Sequence, residues 1–347
     1  MGAWNQNKQI IKGLVMDKFA RMYIKYEYKN KENFISTGNL GDSVQNIAIE
    51  NLYKKIGTPP CDLLCVNRDE LSHYNGEKCK LVMQAYFGYS NGTFPLPWSD
   101  KIIPIFLGFH ISSGNHGREH FINANVQEKM KPFQPIGCRD RNTRDFLRGF
   151  GLDAYFSGCM TLTFDKRESE PENGKIFIVD LNKRTLKHLP KRIRKLGDFS
   201  ITHVHQFEKY PISESDAEIF ENKAREILNR YKNEAKLVIT SRIHVAMPCV
   251  AMGIPVIFIT DYPRNERFDV LRGILPVYSY HDMMWVNWNP TAVDITELKQ
   301  AIIDNAIAQI TGKGAIESRK KLEGITESLK PIPTKPFLIR IFTNLFK

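Results

Sequence analysis

Short apolar runs set between turn residues constrain this chain more than any other feature. They recur at Cys61 to Val66, Leu81 to Phe87, Ile102 to Phe109, Phe133 to Gly137, Lys175 to Leu181 and Ser200 to Val204. Each is too short for a helix, and strands of a parallel sheet covered on both faces read this way. Farther on, Lys236 to Ile239 and Pro255 to Ile259 alternate with helical segments such as Glu214 to Tyr231. That alternation predicts an α/β chain with parallel sheets flanked by helices.

A length of 347 residues exceeds one comfortable hydrophobic core, so two domains are expected. The stretch from Asp165 to Gly174 is charged, contains Pro171, and has almost nothing to bury, which makes it the linker candidate. The expected division is an N-terminal Rossmann-like domain over 1–165, a linker over 166–174, and a C-terminal Rossmann-like domain over 175–329. A basic amphipathic tail over 330–347 follows. Two such halves would face a cleft, with ligand groups at the carboxyl ends of the strands.

The formal net charge of +11 calls for an anionic partner: nucleic acid, a phosphorylated metabolite or an anionic membrane. Without a zinc-finger or RNP-like signature, or basic residues interleaved with aromatics, nucleic acid is the weaker choice. Six cysteines are scattered in mostly apolar surroundings and read as buried thiols in a reducing cytoplasm. His203 and His205 alternate without carboxylate or cysteine at matching spacing, so no metal site is expected. The first residues lack the apolar core of a secretion signal, and no run is long enough to span a bilayer. The acceptor-like triplet Asn91-Gly92-Thr93 is accordingly read as a chance match. In the tail, Phe337, Leu338, Ile341 and Phe342 gather with Lys335, Arg340 and Lys347. Such a helix suits an anionic membrane interface, or equally a terminal helix docked on the body.

Three constellations can carry chemistry. In the first, STGNLGDSVQNIA from Ser36 to Ala48, two glycines precede a helix expected from about Ser43 to Leu52. A helix start there favours an anion, with Asn39, Asp42 and Gln45 orienting its polar groups; an ordinary start capped by Asp42 or Ser43 explains the same residues. In the second, a strand ending at Cys138 leaves Arg139 at its carboxyl end, where it can grip a carboxylate or phosphate with two parallel hydrogen bonds. The alternative is that Arg139, Asp140, Arg141 and Arg144 form surface ion pairs. Ser157, Gly158 and Thr161 downstream suit either a loop over an anion or a turn. In the third, a buried strand ends at Ile239, and Ser241, Arg242 and His244 fall where a helix begins. Arginine there can bind an anion, and His244 can exchange a proton near neutral pH. Tyr262, Arg264, Asn265 and Arg267 follow the next strand and can close over a ligand.

Taken in this order, GNLGDSVQNIA, the RD segment with its SGC and TLT continuation, and SRIHVAMPCVAMGIPVI resemble the polysaccharide pyruvyl transferase family over about Asn33 to Ile259. The resemblance implies two Rossmann-like domains, similar to GT-B glycosyltransferases, with phosphoenolpyruvate in the cleft. By that resemblance Arg139 and Arg242 hold the donor's phosphate and carboxylate, and His244 is the general acid; Ser241, Asn39, Asp42 and Ser157, from the loop and helix-start readings above, are the further donor-side candidates. It implies no cofactor beyond the donor substrate, and an acceptor that is the sugar of a surface-glycan precursor, often lipid-linked. That acceptor would bring a cytoplasmic protein to the inner face of the membrane. Where the family commonly has glycine runs, this chain has Gln84 to Gly92 and Leu107 to Gly114, so Gln84, Tyr86, His110 and Ser112 become acceptor-side candidates. Two other readings compete. One is a GT-B glycosyltransferase using a nucleotide sugar, with Asp261 or Glu266 recruited for the ribose; the other is a non-catalytic module binding anionic glycan.

Overall fold

The computed structural model describes residues 18–23, 36–87, 96–113, 118–207 and 214–335. The Asn91 triplet and positions 336–347 of the tail lie outside the described residues.

The first half supplies β1 (Phe19–Tyr23), β2 (Ser36–Asn39), β3 (Leu64–Asn67), β4 (Cys79–Val82), β5 (Tyr86–Phe87), β6 (Ile102–Ile105), β7 (His110–Ile111), β8 (Ile136–Cys138) and β9 (Ala154–Phe156). A parallel sheet runs in the order β3-β1-β4-β6. The parallel pairs β5-β7 and β8-β9 extend it, because Gly137 N–H donates to Phe106 C=O and Phe109 N–H to Gly137 C=O, each at 3.0 Å. Gly137 is required at this junction: a Cβ there would lie 2.7 Å from the Phe106 carbonyl oxygen.

The second half supplies β10 (Lys175–Val179), β11 (Gly197–Asp198), β12 (Val204–Phe207), β13 (Ala235–Thr240), β14 (Val256–Ile259) and β15 (Val277–Tyr278). Five of them form a second parallel sheet, β11-β10-β13-β14-β15, so the predicted α/β class with parallel sheets holds. β12 instead pairs antiparallel with β2, tying the start of the first half's leading helix to the second half.

Among the described residues, the helices of eight residues or more are α1 (Leu40–Lys55), α2 (Arg141–Arg148), α3 (Glu214–Glu234), α4 (Ile243–Ala251), α5 (Thr296–Thr311) and α6 (Ala315–Ser328). α1 packs against α3 and α4, and its Val44, Ile47 and Ala48 share one apolar core with Phe177, Val245 and Ile302. α6 returns to the first half, where Arg319 grips Asp153 through two hydrogen bonds of 2.6 and 2.7 Å.

Several sequence expectations shift. α1 begins at Leu40, not Ser43, and its cap is Asn39, whose side chain accepts from Gly41 N–H, in place of Asp42 or Ser43. The central strand β1 was not among the expected runs. Within 166–174, Arg167 is buried and donates to the Ala235 carbonyl, so this stretch does bury a side chain. None of the six cysteines is in a disulfide, but Cys61 is exposed and Cys65 half-buried, because the first precedes and the second lies within the edge strand β3.

Candidate functional site

The chain passes from β10 to its neighbour β11 on one side and only later, through β12 and α3, comes back to β13 on the other side of β10, so the switch point of the second sheet lies between β10 and β13. Crevices at the carboxyl ends of parallel strands bind ligands at such points. Here a cavity of about 450 Å³ opens, lined among others by Asn39, Asp180, His203, Arg242, His244 and Arg267. Asn39 reaches it from the first half because the β2-β12 pairing and the Leu40 N–H to His203 C=O bond hold the start of α1 there.

Asp180, which sequence reasoning missed, organises one wall. It follows β10 in the left-handed region at φ 51°, a conformation that Asp tolerates better than most residues. Its Oδ2 accepts from Arg242 Nε and from His203 N–H, both at 3.0 Å. Its Oδ1 accepts from the Thr202 hydroxyl at 2.8 Å, and its carbonyl from the Ser241 hydroxyl at 2.7 Å. The detectable signal was an Asp at a strand's carboxyl end just before Asn182, which caps the next helix.

His244 sits in the first turn of α4, buried, with Nε2 lacking any partner among the described residues. It packs directly on the start of α1: a Cβ on Gly41 would lie 2.8 Å from its Nδ1. Burial, and then the positive charges of Arg139 and Arg267, hold the imidazole well below the usual histidine range. His203 beside it is buried, with neither ring nitrogen partnered among the described residues, and burial lowers it to about 4.

Arg139 follows β8 as expected, but it is fully buried, which rules out a surface ion pair. Its Nη1 donates to Gln45 Oε1 at 3.4 Å, while Nε and Nη2 have no partner among the described residues. Gln45 Nε2 in turn reaches Asp42 Oδ1 at 3.3 Å, so Asp42 stands behind the arginine as part of its support. Surface pairs do form at Arg141, with Asp269 at 3.2 Å, and at Arg144, with Asp145 at 2.7 Å.

Asp140 is buried too. It caps α2 through Thr143 N–H at 2.7 Å and holds His110 Nδ1 at 2.5 Å. Burial pushes the Asp140 carboxyl up, but the His110 and Thr143 hydrogen bonds outweigh it and keep the group below its ordinary value. Burial, aided by the Arg139 charge, lowers His110 to about 4. An ionised Asp140 therefore accepts Nδ1–H of a neutral His110, leaving Nε2, which has no partner among the described residues, with its lone pair. The Tyr86 ring lies 5.5 Å from His110, and the Arg267 guanidinium 5.5 Å from Tyr86. Glu266 accepts from Ser113 N–H at 3.0 Å, fastening the loop after β14 over the loop after β7.

The structure thus brings Asn39, Ser241, Arg242 and His244 to one cavity, and Tyr86 and His110 to one cluster under Arg267. Two further candidates make hydrogen bonds to the scaffold. Ser157 accepts from Gly108 N–H at 2.9 Å and faces the Cys138 carbonyl at 3.2 Å. Gln84 Oε1 accepts from Met160 N–H at 3.1 Å. Ser112 is buried after β7. Among the described residues, no three His, Cys, Asp or Glu side chains gather as a metal-ligand set, and no helix is long and apolar enough to cross a membrane.

No curated protein matches this chain. Among solved structures, a functionally uncharacterised protein of Klebsiella pneumoniae subsp. pneumoniae NTUH-K2044 is 14% identical, with 78% of this chain and 94% of that one covered and a TM-score of 0.41. A Listeria monocytogenes protein described as a UDP-N-acetylglucosamine 2-epimerase is 13% identical, with coverage of 95% and 96% and a TM-score of 0.37. The family model described as polysaccharide pyruvyl transferase matches residues 39–261, which include the start of α1, Arg139, and the Ser241 to His244 corner. The chain belongs to the polysaccharide pyruvyl transferase family.

Proposed function

We propose that this enzyme moves the pyruvyl group of phosphoenolpyruvate onto a sugar of a surface-polysaccharide precursor, closing a cyclic ketal and releasing phosphate. The supporting observation is a set of buried polar atoms without partners among the described residues: Arg139 Nε and Nη2, Arg267 Nε, His244 Nε2 and the ring nitrogens of His203, of which the neutral ring offers one as a donor. Unpaired buried donors and cations are costly, and a compact trianion relieves that cost. Arg139 and Arg242 hold the donor's phosphate and carboxylate. The anion opposes the field that keeps His244 neutral, so donor binding and protonation of His244 are linked.

His244 Nε2–H then protonates the methylene carbon, leaving an oxocarbenium-like C2 that the arginine-held anion stabilises. A sugar hydroxyl adds to C2 and passes its proton to His110 Nε2, which Asp140 orients. Phosphate then leaves as hydrogen phosphate, taking the proton held on His110 Nε2, and a second hydroxyl attacks C2 and returns its proton to His244 Nε2, which closes the ketal and restores both histidines. The acceptor is a lipid-linked glycan precursor. Phosphate release from phosphoenolpyruvate is the test, over a panel of glycosides, with wild type, His244→Ala and Arg242→Ala. Acceptor-dependent release lost in both variants supports the assignment. Stabilisation by a nucleotide sugar, with none by phosphoenolpyruvate, overturns it.

A further inference from the structure

The outer face of the second sheet carries a charge pattern that the cavity does not use. Two short helices, Lys183–His188 and Lys191–Leu196, cover this face and anchor on it through buried Thr185, Leu189 and Ile193. Their outward side exposes Lys183, Arg184, Lys187, Lys191, Arg192, Arg194 and Lys195, with no acidic residue between Leu181 and Gly197. The flanking acids are engaged elsewhere: Asp180 with Arg242 at 3.0 Å, and Asp198 with Arg230 at 3.2 Å. The turn Tyr280–Trp285 packs against the first helix, and its one acid, Asp282, is buried in a capping box with Ser279. Arg184 stacks on Tyr280 at 3.5 Å. Among the described residues, no ion pair neutralises the other six cations.

Apolar side chains project beside these cations. Leu196 is 64% exposed, Phe199 48% and Met284 79%. Scattered single apolar residues need no explanation, but three around an uncompensated basic face form a surface with both attractions that an anionic bilayer offers. The face also starts at the site. Asn182, which caps the first basic helix, lines the cavity, and its amide is hydrogen-bonded to Asp261 on the opposite rim.

We infer that the Lys183–Leu196 helices, with Leu196, Phe199 and Met284, are a docking surface for a bilayer rich in anionic phospholipid, which sets the cavity mouth at the membrane. The surface stands apart from the pyruvyl-transfer reading, because its test measures lipid binding alone. Lipid is favoured over nucleic acid because the exposed apolar groups have a medium to enter only in a bilayer.

The test is cosedimentation of the full chain with phosphatidylcholine vesicles, with and without phosphatidylglycerol. Wild type should bind only the anionic vesicles, less so as salt is raised. Combined Lys187→Glu, Lys191→Glu, Arg192→Glu and Lys195→Glu should weaken binding about tenfold or more, since each cation near the surface contributes. Leu196→Ser with Phe199→Ser should weaken it with little change in salt dependence. Because these positions are exposed, melting temperatures should stay near wild type, and variants that pass this check are the ones compared. Undiminished binding by the folded charge-reversed variant would place the contact elsewhere, the tail included, and overturn the inference. Binding to neutral and anionic vesicles alike would overturn it, as would preference for a single-stranded oligonucleotide over anionic vesicles.

Discussion

Asp180 Oδ2 receives Arg242 Nε at 3.0 Å while the same oxygen receives His203 N–H at 3.0 Å, so one carboxylate fixes both the arginine and the histidine beside it. Asp180→Asn keeps a side chain that accepts the left-handed conformation, but its amide can no longer offer oxygen to every donor. Its stability should fall by about 1 kcal/mol. Asp180→Ala, which also strains the backbone, should lose roughly 2 to 3 kcal/mol. In both, the KM for phosphoenolpyruvate should rise several-fold as Arg242 loses its orientation. Denaturant melts and steady-state kinetics check this, and an unchanged KM in Asp180→Ala would remove Arg242 orientation from the account.

Gly41 matters for what touches it. A Cβ at this position would lie 2.8 Å from His244 Nδ1 and 3.2 Å from its Cβ, contacts that a small rotation of the ring does not relieve. Gly41→Ala should reduce kcat about tenfold or more through a displaced acid, a loss of roughly 1.4 kcal/mol at the transition state. Alanine is favourable in a helix, so the helix itself should form normally. Circular dichroism alongside phosphate-release kinetics separates the two effects.

Arg139 burdens the empty protein. It is wholly buried and two of its donor nitrogens have no partner among the described residues, so replacing it with an apolar side chain of similar length removes a cost. Arg139→Met should raise the melting temperature of the ligand-free protein by about 2 °C or more while abolishing stabilisation by phosphoenolpyruvate. A lower melting temperature would mean that the guanidinium serves the fold and not an anion.

Acid should destabilise this protein through its buried histidines. His110 and His203 fall to about 4 from an ordinary 6.5, and His244 also lies well below it. Between pH 6.5 and 4 the unfolded chain binds protons that the folded chain refuses, so stability rises with pH across this window and falls on acidification. Each group contributes at most about 1.4 kcal/mol per pH unit. Denaturant unfolding over this range should show a shallower slope in His203→Gln. Donor binding reverses the sense at His244: protonation accompanies the anion, so affinity for phosphoenolpyruvate should weaken as pH rises, with proton uptake visible as a buffer-dependent binding enthalpy.

The strands β10, β13 and β14 were legible because aliphatic runs bounded by turn residues leave little alternative, and the corner at Ser241 to His244 came with them. β1 was not, because Arg21 interrupts its apolar pattern. That arginine is matched by Glu221 on α3 and by Glu50 on α1 at 3.6 Å, partners that no local window can supply. Asp180 escaped for the same reason: its meaning lies in Arg242, Thr202 and His203, which only the fold brings to it. Ser157 was legible only as a choice, because a serine in a glycine turn fits an anion loop and a strand junction equally well, and its bonds to Gly108 N–H and the Cys138 carbonyl come from the fold. The basic helices at Lys183 to Leu196 were passed over because the net charge was weighed for the whole chain and the tail, and not for each face.

The pairing of Asp140 with His110 admits the sharpest separation of roles. Asp140→Asn can still cap α2, since its amide oxygen can accept from Thr143 N–H as the carboxylate oxygen does at 2.7 Å. Its amide nitrogen, however, then faces His110 Nδ1, which the carboxylate meets at 2.5 Å. A donor in that place requires Nδ1 to accept, which moves the ring proton to Nε2 and removes the lone pair that would take the hydroxyl proton. Asp140→Asn should therefore lower kcat about a hundredfold or more, within the range for losing one acid-base group. The KM for phosphoenolpyruvate and the folded structure should change little. His110→Gln should reproduce that kinetic pattern, because it lacks a base while filling a similar volume. If instead both variants raise the donor KM and leave kcat intact, His110 and Asp140 act on binding, through Arg139, and the acceptor's proton leaves by another path.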